Sequence, residues 1–136
     1  MKFLNRGPLA QKLTEHLPGA IATFAGIIRA DKSENKAVSA IEYSAHEPMA
    51  EKIFQQIHDE ILKRFDIQSV NIKHSVGLVK AGETSMIVEV HSKHRAAAFE
   101  ALRETVELIK ARAPVWKKEI YDDGEHEWMN AELMER

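Results

Sequence analysis

One proline divides the last third of this chain and limits what it can fold into. Before Pro114, Phe99, Leu102, Val106 and Ile109 recur at three- and four-residue steps, the period of an amphipathic helix. Proline lacks a backbone donor and clashes with the preceding turn, so this helix, roughly 95–112, has to end before it. Beyond it, Trp116 to Tyr121 reads as a strand, Asp122–Asp123–Gly124 as a hairpin turn and His126 to Met129 as the returning arm. Lys110 and Arg112 stand on one side of the proline and Lys117 and Lys118 on the other. A long helix therefore delivers a cluster of cations directly into a β-hairpin.

The upstream segments complete the pattern. Leu9 to Leu17 suits a short helix stopped by Pro18–Gly19, and residues 19–29 are apolar and β-branched enough for a buried strand. Ala30 to Lys36 is a polar loop. Val38 to Ser44 is the next strand, and its apolar phase shifts at Ile41 and Tyr43, which fits either a bulge or a strand covered on both faces. Glu47–Pro48 opens a helix with Met49, Ala50, Ile53, Ile57, Ile61 and Phe65 as its apolar side. Two strands follow, with Val70, Ile72, His74 and Val76 on one face of the first and Met86, Val88 and Val90 on one face of the second; Gly77 and Ala81–Gly82–Glu83 punctuate the connection. The expected class is α+β: an antiparallel or mixed sheet packed with two main helices and a C-terminal β-hairpin. Residues 1–18 are read as an extension, 19–130 as one domain and 131–136 as a C-terminal tail, with Met129 to Arg136 free to fray or to dock on a partner.

Composition narrows the functions. The 136 residues carry 19 Lys and Arg against 21 Asp and Glu, a formal charge of -2, so bulk attraction to nucleic acid or an anionic membrane is not expected. The absence of cysteine removes disulfides, a thiol nucleophile and thiolate metal sites together. There is no secretory h-region and no apolar run of membrane-spanning length, and the cytoplasm is the default location. No metal-ligand spacing accompanies His74 and His91, which read as satisfied sheet histidines. Gly26 and Gly77 start no phosphate loop, and no GxSxG elbow is present. Nothing calls for a metal or a cofactor.

The chemistry concentrates around the last long helix. Lys110 lies on the shoulder of its apolar stripe, where a lysine either snorkels outward over apolar surface or loses solvation and becomes available as a base or nucleophile. In the strand beyond Pro114, Trp116 and Lys118 point one way and Lys117 and Glu119 the other, so Lys110 and Lys117 can converge. Cations held together favour an anionic ligand, most simply phosphate. His94–Arg95 stands where a strand meets the helix N-terminus and reads either as an anion contact or as a capping histidine beside an ion-paired arginine, with Arg95 projecting into the helix's apolar sector. Arg29 is a third source of charge at a strand end, or a solvated partner of Asp31.

Taken together, His94–Arg95–Ala96–Ala97–Ala98–Phe99, Lys110 to Glu119 through Pro114–Val115–Trp116–Lys117, Asp123–Gly124 and Trp128 resemble the large, catalytic subunit of molybdopterin synthase. Gly19–Ala20, Phe24, Gly26 and Arg29 resemble that family's first strand, and Glu42–Tyr43 with Pro48–Met49–Ala50 its second strand and helix start; the resemblance runs from about residue 19 to 130. It implies an α/β hammerhead fold, a homodimer, and a heterotetramer with a small ubiquitin-like sulfur carrier. The carrier's C-terminal Gly-Gly thiocarboxylate enters a pocket, and sulfur is transferred twice to cyclic pyranopterin monophosphate to form molybdopterin. By resemblance, Lys110 and Lys117 take the catalytic positions. Arg29, His94 and Arg95 take positions that bind the substrate's phosphate, Arg95 across the dimer, and Phe24 and Glu119 line the same region. The chain departs from the family in its short 30–36 loop, in a poorly marked N-terminal strand, in His46 where an aromatic is common, and in Val106 where a larger residue lines the pocket. Two other classes compete: a noncatalytic anion-binding or docking module, and a small RNA-binding protein, which would need exposed aromatics beside a positive track.

Overall fold

A computed structural model describes residues 2–9, 17–33 and 36–128. Its strands are β1 (Leu4–Arg6), β2 (Ala20–Ile27), β3 (Lys32–Ser33), β4 (Lys36–Ala45), β5 (Ser69–Lys80), β6 (Thr84–Ser92), β7 (Val115–Tyr121) and β8 (His126–Trp128). Helix α1 (Glu47–Arg64) follows β4, and α2 (Arg95–Arg112) links β6 to β7. The strand order is β2-β6-β5-β4-β7-β8, with β3 folded back on β4 and β1 alongside β5. Every pairing is antiparallel except β1 with β5. The class is the expected α+β, with two helices and a terminal hairpin.

The long strand β5 organises the sheet. Its first half, Ser69 to His74, pairs with β6, and its second, from Gly77 to Lys80, pairs with β4. Gly77 sits at the changeover with φ +88, a backbone state that L side chains rarely adopt, so glycine lets one strand serve two partners. The phase shift in β4 is a register shift against β7 between Val38 and Ala40, so the bulge reading holds. Gly19 is needed for a different reason: a Cβ there would lie 2.1 Å from the Lys93 carbonyl oxygen, where the chain entering β2 passes the start of α2.

Both helices end where their sequences require. His46 caps α1, its Nδ1 accepting from the Met49 amide at 3.3 Å, and Pro48 occupies the first turn. The Ala113 amide closes α2 on the Ile109 carbonyl at 2.9 Å, one residue before Pro114. Helix α2 lies on β2 and β6, and α1 on β5 and against α2. Arg64 and Arg112, one from each helix, share Glu60 at 2.9 and 3.1 Å.

The apolar faces differ in detail from expectation. In α1, Phe54 is fully buried, whereas Met49 is half exposed. In α2 the buried side is Ala98, Ala101, Thr105, Val106 and Ile109, while Phe99 is 64% exposed. Small residues let α2 sit close to the sheet, and the Thr105 hydroxyl is satisfied by the Ala101 carbonyl at 2.6 Å. The true stripe is thus rotated from the one marked by the largest side chains.

Strand β1 is a second difference, since three residues carry little periodic signal; Phe3 and Leu4 beside it are nonetheless core residues. The 30–36 loop contains the short pairing of β3 with Lys36 and Ala37. The expected helix over Leu9 to Leu17 falls mostly on residues outside the described ones, as do Met129 and the 131–136 tail. Among the described residues, no helix is long and apolar enough to cross a membrane.

The core has two parts. One lies beneath the helices and contains Phe3, Phe54, Ile57, Ile61, Ile72 and Val88. The other lies between β4, β5 and β7 and contains Ile28, Val38, Ile41, Tyr43, Val79 and Val115. The seam between them, closed by the C-terminal end of α2, positions the site.

Candidate active site

A cavity of about 380 Å3 opens at this seam. Phe24 and Met86 form one wall, Ile41 and Val115 the other, and Ile109 closes the helix end. The rim is charged: Lys110 comes from the last turn of α2, Lys117 from β7 and Arg29 from the chain leaving β2. Glu119 and Asp31 are the carboxylates that line it. Alternation along β7 sends Val115, Lys117 and Glu119 to the cavity side. Lys118 points away, bridging Glu42 at 3.1 Å and lying 5.3 Å from the centre of the Trp128 ring. The expected convergence of Lys110 with Lys117 across Pro114 is what the fold produces.

The two lysines differ in setting. Lys110 is exposed at the cavity mouth, and among the described residues no carboxylate pairs with it, so its ammonium is available to a ligand. It snorkels outward while Ile109 takes the apolar position beside it. Lys117 is half-buried. Arg29 is tied to Asp31 at 2.8 Å with both side chains solvated, so its charge at the rim is partly spent.

His94 and Arg95 are not in this cavity. They stand at the opposite end of α2, about 22 Å along the axis from Lys110 for a helix rising ~1.5 Å per residue. His94 occupies the N-cap position without a side-chain capping bond, so the capping reading fails. Arg95 is exposed, contrary to its expected place in the apolar sector, and has no ion pair among the described residues. Within one chain these two residues cannot reach a ligand held by Lys110 and Lys117.

Three cavity residues were not anticipated from the sequence: His74, Tyr43 and Ser85. His74 is buried, with its ring edge-on to Tyr43 at 5.2 Å between centroids. Burial first, then the charges of Lys117 and Lys110, lower its pKa to about 4 against a raising contact with the Ser75 carbonyl. The ring is therefore neutral at ordinary pH. Burial likewise raises Tyr43 despite its bond with Ser85, so that hydroxyl keeps its proton. The available signal was a polar residue in phase with Val70, Ile72 and Val76 on a buried strand face. Among the described residues no His, Asp or Glu cluster suits a metal ion.

Comparison with known proteins gives the chain's family and its fold relatives. The family model described as MoaE protein matches residues 4–112. The molybdopterin synthase catalytic subunit of Bacillus subtilis is 38% identical over 130 residues, spanning 96% of this chain and 82% of the relative. The rat protein of the same name is 36% identical over 127 residues, 93% of this chain, which spans only 63% of the rat protein. The crystal structure of molybdopterin synthase from Staphylococcus aureus superposes with a TM-score of 0.84 at 31% identity, covering 96% of this chain and 98% of that one. With the family model matched from residue 4 to 112, and with relatives of 36–38% identity and a common fold along most of its length, the chain belongs to the MoaE protein family.

Proposed function

We propose that this chain is the catalytic subunit of a molybdopterin synthase, a sulfurtransferase. It accepts the thiocarboxylate tail of a small ubiquitin-like carrier and transfers sulfur twice to cyclic pyranopterin monophosphate. The observation that carries this reading is the meeting of Lys110 and Lys117 at one cavity, across the turn made by Pro114. Both ligands are anionic, and the rim supplies the matching charge within a chain of net charge -2. Lys110, the accessible cation, stabilises the negative charge that develops on the tail's acyl oxygen as the carbon–sulfur bond breaks and water takes sulfur's place, leaving the tail a carboxylate; Lys117 orients and neutralises the substrate. Arg29 adds charge at the rim, and Phe24 and Glu119 shape and brace the cavity. Sulfur rides on the partner, because this chain has no cysteine to carry it. In this reading the working domain is residues 19–130 together with β1, which pairs with β5 and adds Phe3 and Leu4 to the core; no metal or further cofactor takes part, and the reaction is cytoplasmic.

The test is conversion of cyclic pyranopterin monophosphate to molybdopterin by this chain with its thiocarboxylated carrier. Product supports the assignment; a stable complex that makes none favours a docking module of the same fold.

His94 and Arg95 enter this scheme through a second copy. Both are exposed, without an ion pair among the described residues, and too far from Lys110 to serve their own chain's cavity, which is the arrangement expected if a homodimer presents them to its partner's cavity. Arg95→Ala and Lys110→Ala chains, each nearly inactive alone, are then expected to complement. In equal mixtures of freely exchanging chains, half the dimers are mixed and one of their two cavities is intact, giving about a quarter of native activity. Rates of the co-refolded mixture measure this directly. No recovery, with mixed dimers demonstrated, would mean that Arg95 serves its own chain or no site.

A further inference from the structure

The charged rim accounts for the anionic parts of a ligand, but the cavity floor is neutral and polar. His74 is only 8% exposed, and its Nδ1 lies 2.8 Å from the Ser75 carbonyl oxygen. That carbonyl can only accept, so Nδ1 carries the proton and Nε2 of the neutral ring is left as an acceptor. Nε2 has no partner among the described residues. Nor is it sealed in the interior: the described side-chain atom that is fully enclosed without a partner is Ser69 Oγ, and His74 is among the residues lining the cavity.

The neighbours cannot satisfy it. Phe54 stands behind the ring at 6.1 Å between centroids, and Tyr43 presents its own ring at 5.2 Å. The Tyr43 hydroxyl bonds to Ser85, whose own hydroxyl donates to the Gly26 carbonyl at 3.3 Å. Burial and two nearby ammonium groups disfavour a charge on His74, so it does not serve as another cation for phosphate. An acceptor at the base of a cavity calls for a donor, because burying it against an apolar group forfeits hydration with nothing in return. The volume, about 380 Å3, is within the range of small-molecule sites (roughly 300–1,000 Å3) and exceeds what a lone phosphate or carboxylate needs.

We propose that His74 is a specificity-determining residue of this cavity: its Nε2 accepts a hydrogen bond from an N–H of the substrate's uncharged heterocycle, while Lys110 and Lys117 hold the anionic groups. This rests on the function proposed above and adds a division of labour to it. The rim reads charge and the floor reads a donor, so an analogue without that N–H loses affinity while keeping its phosphate contacts.

Binding of cyclic pyranopterin monophosphate and, separately, of inorganic phosphate would be measured by calorimetry for the native chain, His74→Phe and His74→Gln. Phenylalanine keeps the ring's bulk and removes the acceptor; glutamine restores a neutral acceptor near Nε2. His74→Phe is expected to weaken pyranopterin binding about tenfold and to raise KM similarly with little change in kcat, leaving phosphate affinity within about twofold. His74→Gln is expected to recover most of the loss. In the native protein, the 15N resonance of His74 Nε2 should shift when the pyranopterin is added and stay still with phosphate, a readout that needs no variant to fold. Unchanged pyranopterin binding in His74→Phe, an equal loss of phosphate binding, a glutamine variant as poor as phenylalanine, or a silent Nε2 resonance would each overturn the proposal. If those results accompany normal product formation, the failure is of the His74 assignment alone. A native chain that binds phosphate but neither binds nor converts the pyranopterin overturns the proposed function as well.

Discussion

Lys110→Ala is expected to lower conversion of cyclic pyranopterin monophosphate by about 10²–10³-fold while the carrier remains bound. The magnitude is that of removing one preorganised group that stabilises charge developing in the transition state. Lys110 suits that role because its ammonium is exposed at the cavity mouth and has no carboxylate partner among the described residues. The last turn of α2 also favours a cation there, since the helix's negative end is close. The exposed side chain fills no core space, so its truncation should change stability by no more than about 0.5 kcal/mol. Lys110→Arg keeps the charge but presents a planar fork in place of a compact ammonium, and should recover only part of the rate. Single-turnover rates with saturating thiocarboxylated carrier, with carrier affinity measured in parallel, separate chemistry from docking. A Lys110→Ala rate within about threefold of native would remove this lysine from the chemistry.

The largest expected loss of stability is at Phe54. Its side chain is 0% exposed, its ring stacks on Phe3 at 6.0 Å, and it backs the His74 ring. Phe54→Ala removes a whole aromatic ring from the junction of α1, β5 and the chain entering β1. The expected cost is about 3–5 kcal/mol, from lost transfer energy plus the cavity left behind. For a chain of this size that lowers the thermal midpoint by roughly 10–20 °C. Denaturant unfolding at fixed protein concentration measures it, with an unchanged slope showing that the unfolded state is not the cause. A loss below about 1 kcal/mol would mean that α1 can collapse onto the vacated space. The damage should also reach the site, since His74 loses its backing and the cavity floor its rigidity.

The fold was legible wherever a local signal was strong. Pro114 ended α2 at Arg112, Glu47–Pro48 began α1, and the alternation of Val70, Ile72, His74 and Val76 marked β5. Strand β1 was not legible, because three residues hold no period and its partner lies some seventy positions away. The rotated stripe of α2 escaped because its large apolar residues drew attention, while close packing on β2 and β6 selected Ala98, Ala101 and Thr105. Phe99 was left outside, 64% exposed.

For the candidate site the division has the same cause. Lys110 and Lys117 are seven residues apart across one proline, so their convergence follows from local geometry and could be read directly. His94 and Arg95 sit on the same helix as Lys110, and its length alone separates them within one chain. His74, Tyr43 and Ser85 come from three different strands, and only the register of β4, β5 and β6 brings them under the lysines. By itself the chain determined the long elements, the cationic cluster and the sign of the charge that cluster attracts. The tertiary structure decided which neutral groups face that ligand, because cross-strand contacts depend on pairing partners that no local period encodes.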